Sequence, residues 1–499
     1  MKSKYLLLLL LILIIASFFR LYHITTTPPG LYPDEAIGGN QGLEALRTGN
    51  FKLFYPENNG RAGLFINLQG LSAGMSGAAE PWTLRFPSAI LGILTVLGLY
   101  FLTKELFDQA TSNKKQETRR VALLASFFLA TSFWHINFSR IGFDGIMAPF
   151  FLVWSVYFLL KALRSKSAIC HMPYAICAGL IYGLGFHSYI AYRVTPVLIL
   201  FIIAYYLKTR WNDPVLRKKI LTSIFYFLVS SFLAALPMGI YFLTHPADFS
   251  NRTPQISVFG SAHPLTNLAS NIVKTLAMFN FRGDGNWRHN YPGRPELFWP
   301  VGILFLIGII IAIKNIFKNL KVKILDSRFS ILILWFALGA APAVFSNDGI
   351  PHSLRSILMI PPTFILAATG GIAAYDFLKK RTVSFWLPVA AAIFLSLLML
   401  EAYNTYFILW AKNPNTSGAF NADYVAFGQA LNQLPPDIPK YVIVEAGGVP
   451  VNGIPMPAQT VMFITDTFAP ENRRAKNIYY ILPNQESDLP STSLKFYLK

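Results

Sequence analysis

Long apolar runs separated by short basic clusters constrain this chain more than any other feature of its sequence. Of its 499 residues, 54% are hydrophobic and only 13% are charged, whereas a soluble protein carries nearer a quarter charged residues. The apolar residues are concentrated in stretches of roughly the length that a helix needs to cross a bilayer. The sequence therefore predicts an α-helical polytopic membrane protein.

Eleven segments are predicted to span the membrane. Lys2 and Lys4 precede the first one, and no clean cleavage site follows it, so we interpret it as a retained helix rather than a signal peptide. The eleven predicted segments are 5–19, 82–103, 121–138, 143–160, 172–190, 194–207, 220–243, 297–313, 329–345, 357–378 and 385–403.

The net charge of +19 is distributed unevenly over the connections between these segments. If the N-terminus is cytoplasmic, the basic clusters within 104–120, 161–166, 208–219, 314–328 and 379–381 all fall in cytoplasmic loops. The short loops on the other side hold mainly Arg140, Arg193 and Arg355, one each. This asymmetry follows the positive-inside rule. It predicts a multi-pass plasma-membrane protein with an extracytoplasmic C-terminus, and it argues against nucleic acid as a partner.

Two long outer loops and a soluble-like tail follow from this map. The first loop, about 25–81, contains Leu64, Leu68, Leu71 and Met75 at helical spacing, which predicts an amphipathic helix on the membrane surface. The second loop is about 244–296. We assign 1–403 to a transmembrane domain and 404–499 to a small extracytoplasmic α/β domain, with a helix at 420–434 and strands at 441–445 and 477–482.

The acidic pair Asp34-Glu35 has two interpretations. Pro33 followed by two acids is typical of a helix start, because proline fits the first turn and carboxylates favour the positive end of the helix dipole. The pair also follows the first membrane segment closely, where a carboxylate can reach a hydroxyl group at the membrane face and act as a general base. We predict that Asp34 is the catalytic base, with Glu35 as the second catalytic residue.

Several cations fall on the same predicted face. Arg61 either anchors the amphipathic helix to lipid headgroups or neutralises a phosphate leaving group. A lone histidine at the end of a span is usually just hydrogen-bonded, but two His/Arg clusters on one face favour a pocket for phosphate or pyrophosphate. These clusters are His187 with Arg193 and His352 with Arg355.

Two further motifs carry polar residues to this face. Asp144 begins an apolar run, where an acid is costly without a partner or a function. Its candidate roles are donor binding, pairing with Arg140, or metal binding. The loop around 282–290 is either a solvated turn or a contact to sugar or acceptor, in which Trp287 would stack on a sugar face. Its candidate residues are Asp284, Asn286, Trp287, Arg288 and His289.

Four stretches together resemble the superfamily C (GT-C) membrane glycosyltransferases, nearest to the protein O-mannosyltransferase relatives and the lipid A aminoarabinose transferase. They are Pro33-Asp34-Glu35-Ala36, Arg61-Ala62-Gly63-Leu64-Phe65, Arg85-Phe86-Pro87-Ser88-Ala89 and Arg140 to Asp144. The resemblance implies a cell-envelope enzyme that moves a sugar, with inversion, from a polyprenyl-phosphate donor to a hydroxyl of a lipid, glycan or protein acceptor.

The resemblance also implies roles for individual residues. Asp34 carries over as the base, Arg61 as the donor-phosphate cation in place of the usual lysine, and Asp144 as the second acid. Ala62-Gly63 departs from the prolines that are common at this point. In parts of the superfamily such acids bind a divalent metal (Mg, Mn or Zn), and the ligands here would be Asp34 and Asp144.

Two other classes of function fit part of the pattern. A transporter or flippase of lipid-linked sugars would also explain the spans and the outer cations. It should however place ionisable groups near the midpoints of spans and often contains internal repeats, whereas here the charges lie at span ends and no repeat is evident. A membrane scaffold would leave the acidic residues without a purpose.

Overall fold

Long apolar helices make up most of the structure, a computed structural model that describes residues 3–77, 79–108, 112–165, 170–250, 256–321, 327–381, 385–490 and 493–499. Every predicted membrane segment coincides with helical structure. Among the described residues, eight helices are long and apolar enough to cross a membrane. These eight are Lys4–Leu21, Pro81–Leu106, Asp144–Arg164, Ile190–Arg210, Pro214–Thr244, Trp299–Lys318, Ile357–Lys379 and Trp386–Trp410.

The prediction of an α-helical multi-pass membrane protein is confirmed, but the predicted total of eleven spans stays a prediction. The three remaining segments form shorter or more polar helices. Ser112–Thr131 begins with basic residues and is separated at Ser132 from the short helix Phe133–Phe138. His171–Gly185 has 15 residues, and the apolar part of the third, Arg328–Val344, is also short.

The other helices are mostly short and lie between these long ones or after them. They are Pro33–Thr48, Gly63–Ser76, Pro246–Ser250, Pro264–Ala277, Pro414–Ala419, Ala422–Gln433, Ala458–Ile464 and Pro470–Lys476. The strands are Phe54–Tyr55, Arg61–Ala62, Lys440–Val444, Pro450–Val451, Ile454–Pro455, Ile478–Ile481 and Leu494–Leu498.

The first predicted outer loop folds around two packed helices, which we name the acidic helix (Pro33–Thr48) and the stripe helix (Gly63–Ser76). They approach each other through Gly42 and Gly70. A Cβ atom added to Gly70 would lie 2.1 Å from the Gly42 carbonyl oxygen, and one added to Gly42 would lie 2.4 Å from the Ile66 carbonyl oxygen. Only glycine permits this backbone contact, which fixes the position of the acidic helix.

The stripe helix exposes only the second half of its predicted apolar stripe, since Leu64 and Leu68 are half-buried and Leu64 packs against the hydrophobic core. Leu71 and Met75 are 40% and 89% exposed, whereas Phe65, Ile66 and Gln69 on the other face are buried. An apolar face directed outward is what a helix in the membrane interface requires. The placement of this helix at the membrane surface stays a prediction.

The C-terminal segment contains the predicted helix, Ala422–Gln433, and a three-stranded parallel sheet. Its central strand Lys440–Val444 pairs with the predicted strand Ile478–Ile481 on one side and with Leu494–Leu498 on the other. The segment packs on the acidic helix, where Asn40 Nδ2 donates to the side chain of Gln459 at 3.0 Å. Its status as a separate domain stays a prediction.

The glycine contact gives a test of the fold. We expect Gly70→Ala to lower the free energy of unfolding by about 1–3 kcal/mol, because the methyl group overlaps a backbone oxygen that cannot move alone. The matched control is Gly239→Ala, since an added Cβ there meets nothing within 4 Å. Thermal unfolding in detergent measures both. Equal midpoints for the two variants would contradict close packing of the acidic and stripe helices.

Candidate functional site

A cavity of about 1200 Å³ lies where the ends of several helices converge. It is lined by both predicted outer loops, by the turn at 142–144, by 186–193 and by 348–355. Ten of the sequence-predicted site residues line it. They are Asp34, Arg61, Asp144, Arg193, Asp284, Asn286, Arg288, His289, His352 and Arg355. Glu35, Arg140, His187 and Trp287 do not line this cavity.

Asp34 lies in the first turn of the acidic helix and also faces the cavity, so its position at a helix start and its position at the site are compatible. Its Oδ1 accepts hydrogen bonds from Asn58 Nδ2 at 2.6 Å and lies 2.8 Å from Arg61 Nη2. Arg61 Nη1 also donates to the Asp34 carbonyl oxygen at 2.7 Å. Within the described residues these side-chain contacts all involve Oδ1 and none involves Oδ2.

A small hairpin brings Asn58 and Arg61 to this carboxylate. Tyr55 pairs with Arg61 across two short antiparallel strands. The turn between them places Asn58, Asn59 and Gly60 at φ of 52°, 65° and 74°, a left-handed conformation that asparagine and glycine adopt most readily. The local sequence thus directs Arg61 toward Asp34.

Glu35 points the other way, into the protein. Its carboxylate is fully buried and pairs with the fully buried guanidinium of Arg85, with Nε–Oε2 at 2.9 Å and Nη2–Oε1 at 3.1 Å. Oε2 also accepts a hydrogen bond from the Gly142 backbone N–H at 2.6 Å. This geometry favours a positioning role for Glu35 rather than contact with substrate, and its catalytic role stays a prediction.

The turn that carries Asp144 is fixed by the same contacts. Gln69 Nε2 donates to the Gly142 carbonyl oxygen at 3.3 Å and to the Leu84 carbonyl oxygen at 3.1 Å. Asp144 then begins a 3₁₀ turn at the entry to a long apolar helix, and the charges of Arg61 and Asp34 act on its carboxylate. Asp34, Arg61 and Asp144 therefore form one electrostatic group at one end of the cavity.

Three predicted site residues make other contacts. Arg140 is buried and donates to the carbonyl oxygens of Phe19, Tyr22 and Thr27, so its charge is directed at the backbone. His187 Nε2 bonds to the Ala234 carbonyl oxygen at 2.9 Å. Trp287 packs against the hydrophobic core and against Tyr291. Their predicted roles toward substrate, and the ring stacking of Trp287 on a sugar, have no support in this arrangement.

The cations of the cavity differ in how they are held. Arg355 lies 2.9 Å from Asp348 and also donates to Ser346. Arg193 donates to the Phe249 carbonyl oxygen, and its guanidinium carbon lies 4.2 Å from the centre of the Phe249 ring. Three further cations line the cavity without an ion pair to a carboxylate in the described part of the chain. They are Lys274, Arg282 and Arg288.

Arg288 is the best placed of these three cations. Its guanidinium carbon lies 4.0 Å from the centre of the Tyr32 ring, two residues before Asp34. Stacking on an aromatic face orients the guanidinium plane and leaves its N–H groups available to an anion. Arg288 therefore offers an oriented positive charge close to the candidate base.

The wall of the cavity also contains a compact polar cluster formed by Asp284, His289 and His352. One ligand atom from each lies within 4.8 Å of the others, and they form the potential three-residue metal site found among the described residues. Asp284 Oδ2 is 3.0 Å from His289 Nδ1 and 4.0 Å from His352 Nδ1.

Glu296 supports this cluster from behind. Its Oε1 accepts a hydrogen bond from Ser353 Oγ at 2.5 Å and from the Asp284 backbone N–H at 3.2 Å, which ties the two loops together. Complete burial raises the pKa of Glu296 to about 8, so it is mainly protonated at neutral pH. A neutral acid avoids a second negative charge beside Asp284.

The metal ligands predicted from sequence, Asp34 and Asp144, fit a divalent ion less well. The Arg61 guanidinium already lies 2.8 Å from Asp34 Oδ1, and a cation at that distance repels a second one. Mixed nitrogen and oxygen ligands occur at the His/Asp cluster instead. A metal at Asp34 and Asp144 stays a prediction that this geometry does not favour.

Comparison with known proteins identifies solved structures that have a similar fold. Residues 64–241 match the family described as dolichyl-phosphate-mannose-protein mannosyltransferase. The oligosaccharyltransferase of Archaeoglobus fulgidus in its apo form superimposes with a TM-score of 0.58 at 15% identity, covering 97% of this chain and 65% of that one. ArnT from Cupriavidus metallidurans bound to undecaprenyl phosphate superimposes with a TM-score of 0.51 at 14% identity, covering 93% and 85%.

The chain shares the fold of the Archaeoglobus fulgidus oligosaccharyltransferase and of ArnT. The structure of the Archaeoglobus fulgidus oligosaccharyltransferase in complex with Zn and sulfate shares this fold, with a TM-score of 0.52 at 14% identity and coverage of 95% and 62%. No curated protein matches the chain significantly. The chain spans about two thirds of the length of the oligosaccharyltransferase.

Sequence reasoning missed several residues of this candidate site. Arg85 stood in one of the four resembling stretches, but nothing local indicated that its partner is Glu35, 50 positions away. The cavity is also lined by Asn58 in the hairpin turn, Lys274 in the helix Pro264–Ala277 and Arg282 in the second loop, where polar residues are too common to single out. Only the Asn-Asn-Gly turn before Arg61 gave a usable signal for Asn58.

The buried ion pair can be tested apart from catalysis. We expect Glu35→Gln to lower the free energy of unfolding by about 3–5 kcal/mol, because it leaves the buried Arg85 charge uncompensated. The control is Arg47→Gln, which breaks a pair with Asp466 that is 42% and 32% exposed and should cost no more than about 1 kcal/mol. Thermal unfolding in detergent that shifted equally for both variants would rule out the role assigned to Glu35.

Proposed function

We propose that this protein is an inverting glycosyltransferase that moves a sugar from a polyprenyl-phosphate donor to an extracytoplasmic hydroxyl group. The observation that carries the proposal is the position of Asp34. Its carboxylate faces a large cavity beside Arg61, Asp144 and Arg288, in a chain with the superfamily C fold. A base, a second acid and oriented cations at one cavity are the groups that displacement of a sugar phosphate needs.

In the proposed reaction, Asp34 Oδ2 removes the proton from the acceptor hydroxyl. The hydroxyl oxygen attacks the anomeric carbon and forms the new glycosidic bond from the face opposite the donor phosphate. The bond between the anomeric carbon and the phosphate oxygen breaks, and its electron pair stays on the phosphate. The proton remains on Asp34 until the product leaves, so atoms and charges balance without a further reactant.

The leaving phosphate gains negative charge on its oxygen, and a fixed cation at that oxygen lowers the barrier. Arg61 is engaged with Asp34 in this structure, so we assign it first to orienting the base and second to the phosphate. Arg288, Lys274 and Arg282 are the cations that we propose for the donor phosphate. Arg193 and Arg355 are held by neighbouring groups and would shape the wall of the pocket.

The donor lipid is proposed from the cavity wall and from the relatives. Phe54, Phe186, Tyr189, Met238 and Phe242 line the cavity and give it an apolar flank, which suits an isoprenoid chain or a sugar face. ArnT from Cupriavidus metallidurans binds undecaprenyl phosphate in a solved structure. We therefore propose a polyprenyl phosphate as the donor carrier and an extracytoplasmic position for the cavity. The acceptor is a lipid, a glycan or a protein.

The flippase alternative is not favoured. The charged residues of the cavity lie at helix ends and in loops, whereas a transporter places its binding groups near the middle of broken helices. The family match and the similar folds are those of transferases. No specific feature of the site supports a flippase over a transferase.

The role of Asp34 gives the central prediction. Asp34→Asn should lower the turnover number by about 100- to 10,000-fold, since general-base catalysis contributes that much and the amide cannot take the proton. The side chain is 31% exposed, so stability should change little. Transfer of radiolabelled sugar from synthetic polyprenyl phosphates to membrane acceptors measures the rate. A turnover number near the wild-type value would rule out Asp34 as the general base.

The cation nearest the base gives a second prediction. Arg288→Gln should lower kcat/KM for the donor by roughly 10- to 100-fold, which corresponds to the loss of one hydrogen bond to a charged group. Arg294→Gln is the matched control from the same loop, because Arg294 pairs with Glu401 and does not line this cavity. The same transfer assay with varied donor concentration measures both. An equal loss in the two variants would contradict a specific phosphate contact of Arg288.

A further inference from the structure

We propose that Asp284, His289 and His352 form a binding site for a divalent metal ion of the zinc class, with an open coordination position toward the cavity. The proposal concerns a different set of residues from the acids predicted to bind metal, Asp34 and Asp144. It rests on ligand chemistry and geometry, and it holds whether or not the protein transfers sugar.

The separation of the ligand atoms fits a metal ion. Zinc binds histidine nitrogen and carboxylate oxygen at about 2.0–2.2 Å, so ligands in a tetrahedral site lie roughly 3.3–3.6 Å apart. The distances from Asp284 Oδ2 to His289 Nδ1 and His352 Nδ1, 3.0 and 4.0 Å, bracket that value. The ligand atoms of the two histidines lie within 4.8 Å of each other, and His352 Nδ1 would exchange its 3.4 Å contact with the Arg355 backbone N–H for the ion.

The carboxylate is already held in the orientation of a ligand. The Ser353 backbone N–H donates to Asp284 Oδ2 at 2.8 Å, and the Asn286 backbone N–H donates to Oδ1 at 2.8 Å. The ligands of a metal site are usually surrounded by groups that fix their orientation through hydrogen bonds of this kind. Ser353 occupies one lone pair of Oδ2, and His289 Nδ1 lies 3.0 Å from the same oxygen, so an ion would take the place of this contact with His289.

The ligand set selects the class of ion. Two imidazoles and one carboxylate suit zinc, or a similar transition metal, better than magnesium or calcium, which prefer oxygen. Three protein ligands leave a fourth tetrahedral position open, as in catalytic rather than structural zinc sites. All three residues line the cavity, so that position faces it and would accept an oxygen anion such as phosphate.

Two loops distant in sequence meet at this cluster, and their contact does not need the metal. Glu296 hydrogen-bonds Ser353 in one loop and Asp284 in the other, and the His289 and His352 rings lie 4.7 Å apart. The site is thus largely formed before an ion binds. Removing a ligand should weaken metal binding without unfolding the loops, above all at His352, whose side chain is 13% exposed.

The test uses the purified full chain in detergent, stripped with a chelator and then titrated with Zn²⁺. Elemental analysis after gel filtration measures the bound metal, and Co²⁺ in place of Zn²⁺ gives a visible spectrum that reports a tetrahedral site. The variants are His352→Gln, His289→Gln and Asp284→Asn. The matched control is His263→Gln, which removes an exposed histidine from the same long loop. Thermal unfolding of the metal-free forms verifies that each variant is folded.

We expect the wild type and His263→Gln to retain about one zinc ion per chain. Each ligand variant should bind zinc more than about 100-fold more weakly, because even a residue that only supports a ligand contributes about 10- to 100-fold. Inorganic phosphate should change the Co²⁺ spectrum of the wild type if the fourth position is open. These outcomes do not depend on sugar transfer, so they can succeed where the proposed function fails.

Three results would overturn the inference. One is a reconstituted wild type that binds no zinc. Another is a set of ligand variants that are folded and bind zinc as tightly as the wild type. The third is loss of zinc in Asp34→Asn or Asp144→Asn while His352→Gln retains it, which would move the metal to the other end of the cavity. A Co²⁺ spectrum unchanged by phosphate would contradict the open coordination position.

Discussion

The buried ion pair between Glu35 and Arg85 is the interaction on which the site depends. Two fully buried charges are tolerated only when their geometry is close and their remaining hydrogen-bonding groups are satisfied. Here the guanidinium also donates to the carbonyl oxygens of Pro28 and Gly30, and the carboxylate accepts from Gly142. Neighbouring residues on a helix point about 100° apart, so an inward Glu35 directs Asp34 outward to the cavity.

The site therefore contains one rigid, buried ion pair and one adjustable, partly exposed ion pair. The pair of Glu35 and Arg85 has no exposed area, whereas the pair of Asp34 and Arg61 is 31% and 25% exposed. A partly exposed pair contributes little to stability and rearranges at small cost. Arg61 can therefore exchange contact with Asp34 for contact with a phosphate, while the backbone that carries Asp34 stays fixed.

The sequence alone predicted the features that depend on a pattern of neighbouring residues. Apolar runs, the helix start at Pro33 and the polar loop that holds Asp284 were visible, since each depends on composition or spacing within a few residues. The sequence predicted a catalytic role for both Asp34 and Glu35 and could not show that Glu35 turns inward, because that depends on its pairing with Arg85, which is distant in sequence. For the same reason the contact of His187 with a neighbouring helix, and the meeting of Asp284 with His352, had no local signal.

The loop 282–290 contributes to both groups of polar residues in the cavity. Its Arg288 stacks on Tyr32 near the candidate base, while its Asp284 and His289 belong to the polar cluster. Asn137 donates to the Arg288 carbonyl oxygen at 2.7 Å and so fixes the loop to the helical body. Because one anchored loop carries both Arg288 and two members of the polar cluster, these groups keep a fixed position relative to each other. Under the proposed function, the loop would therefore position the donor phosphate relative to Asp34.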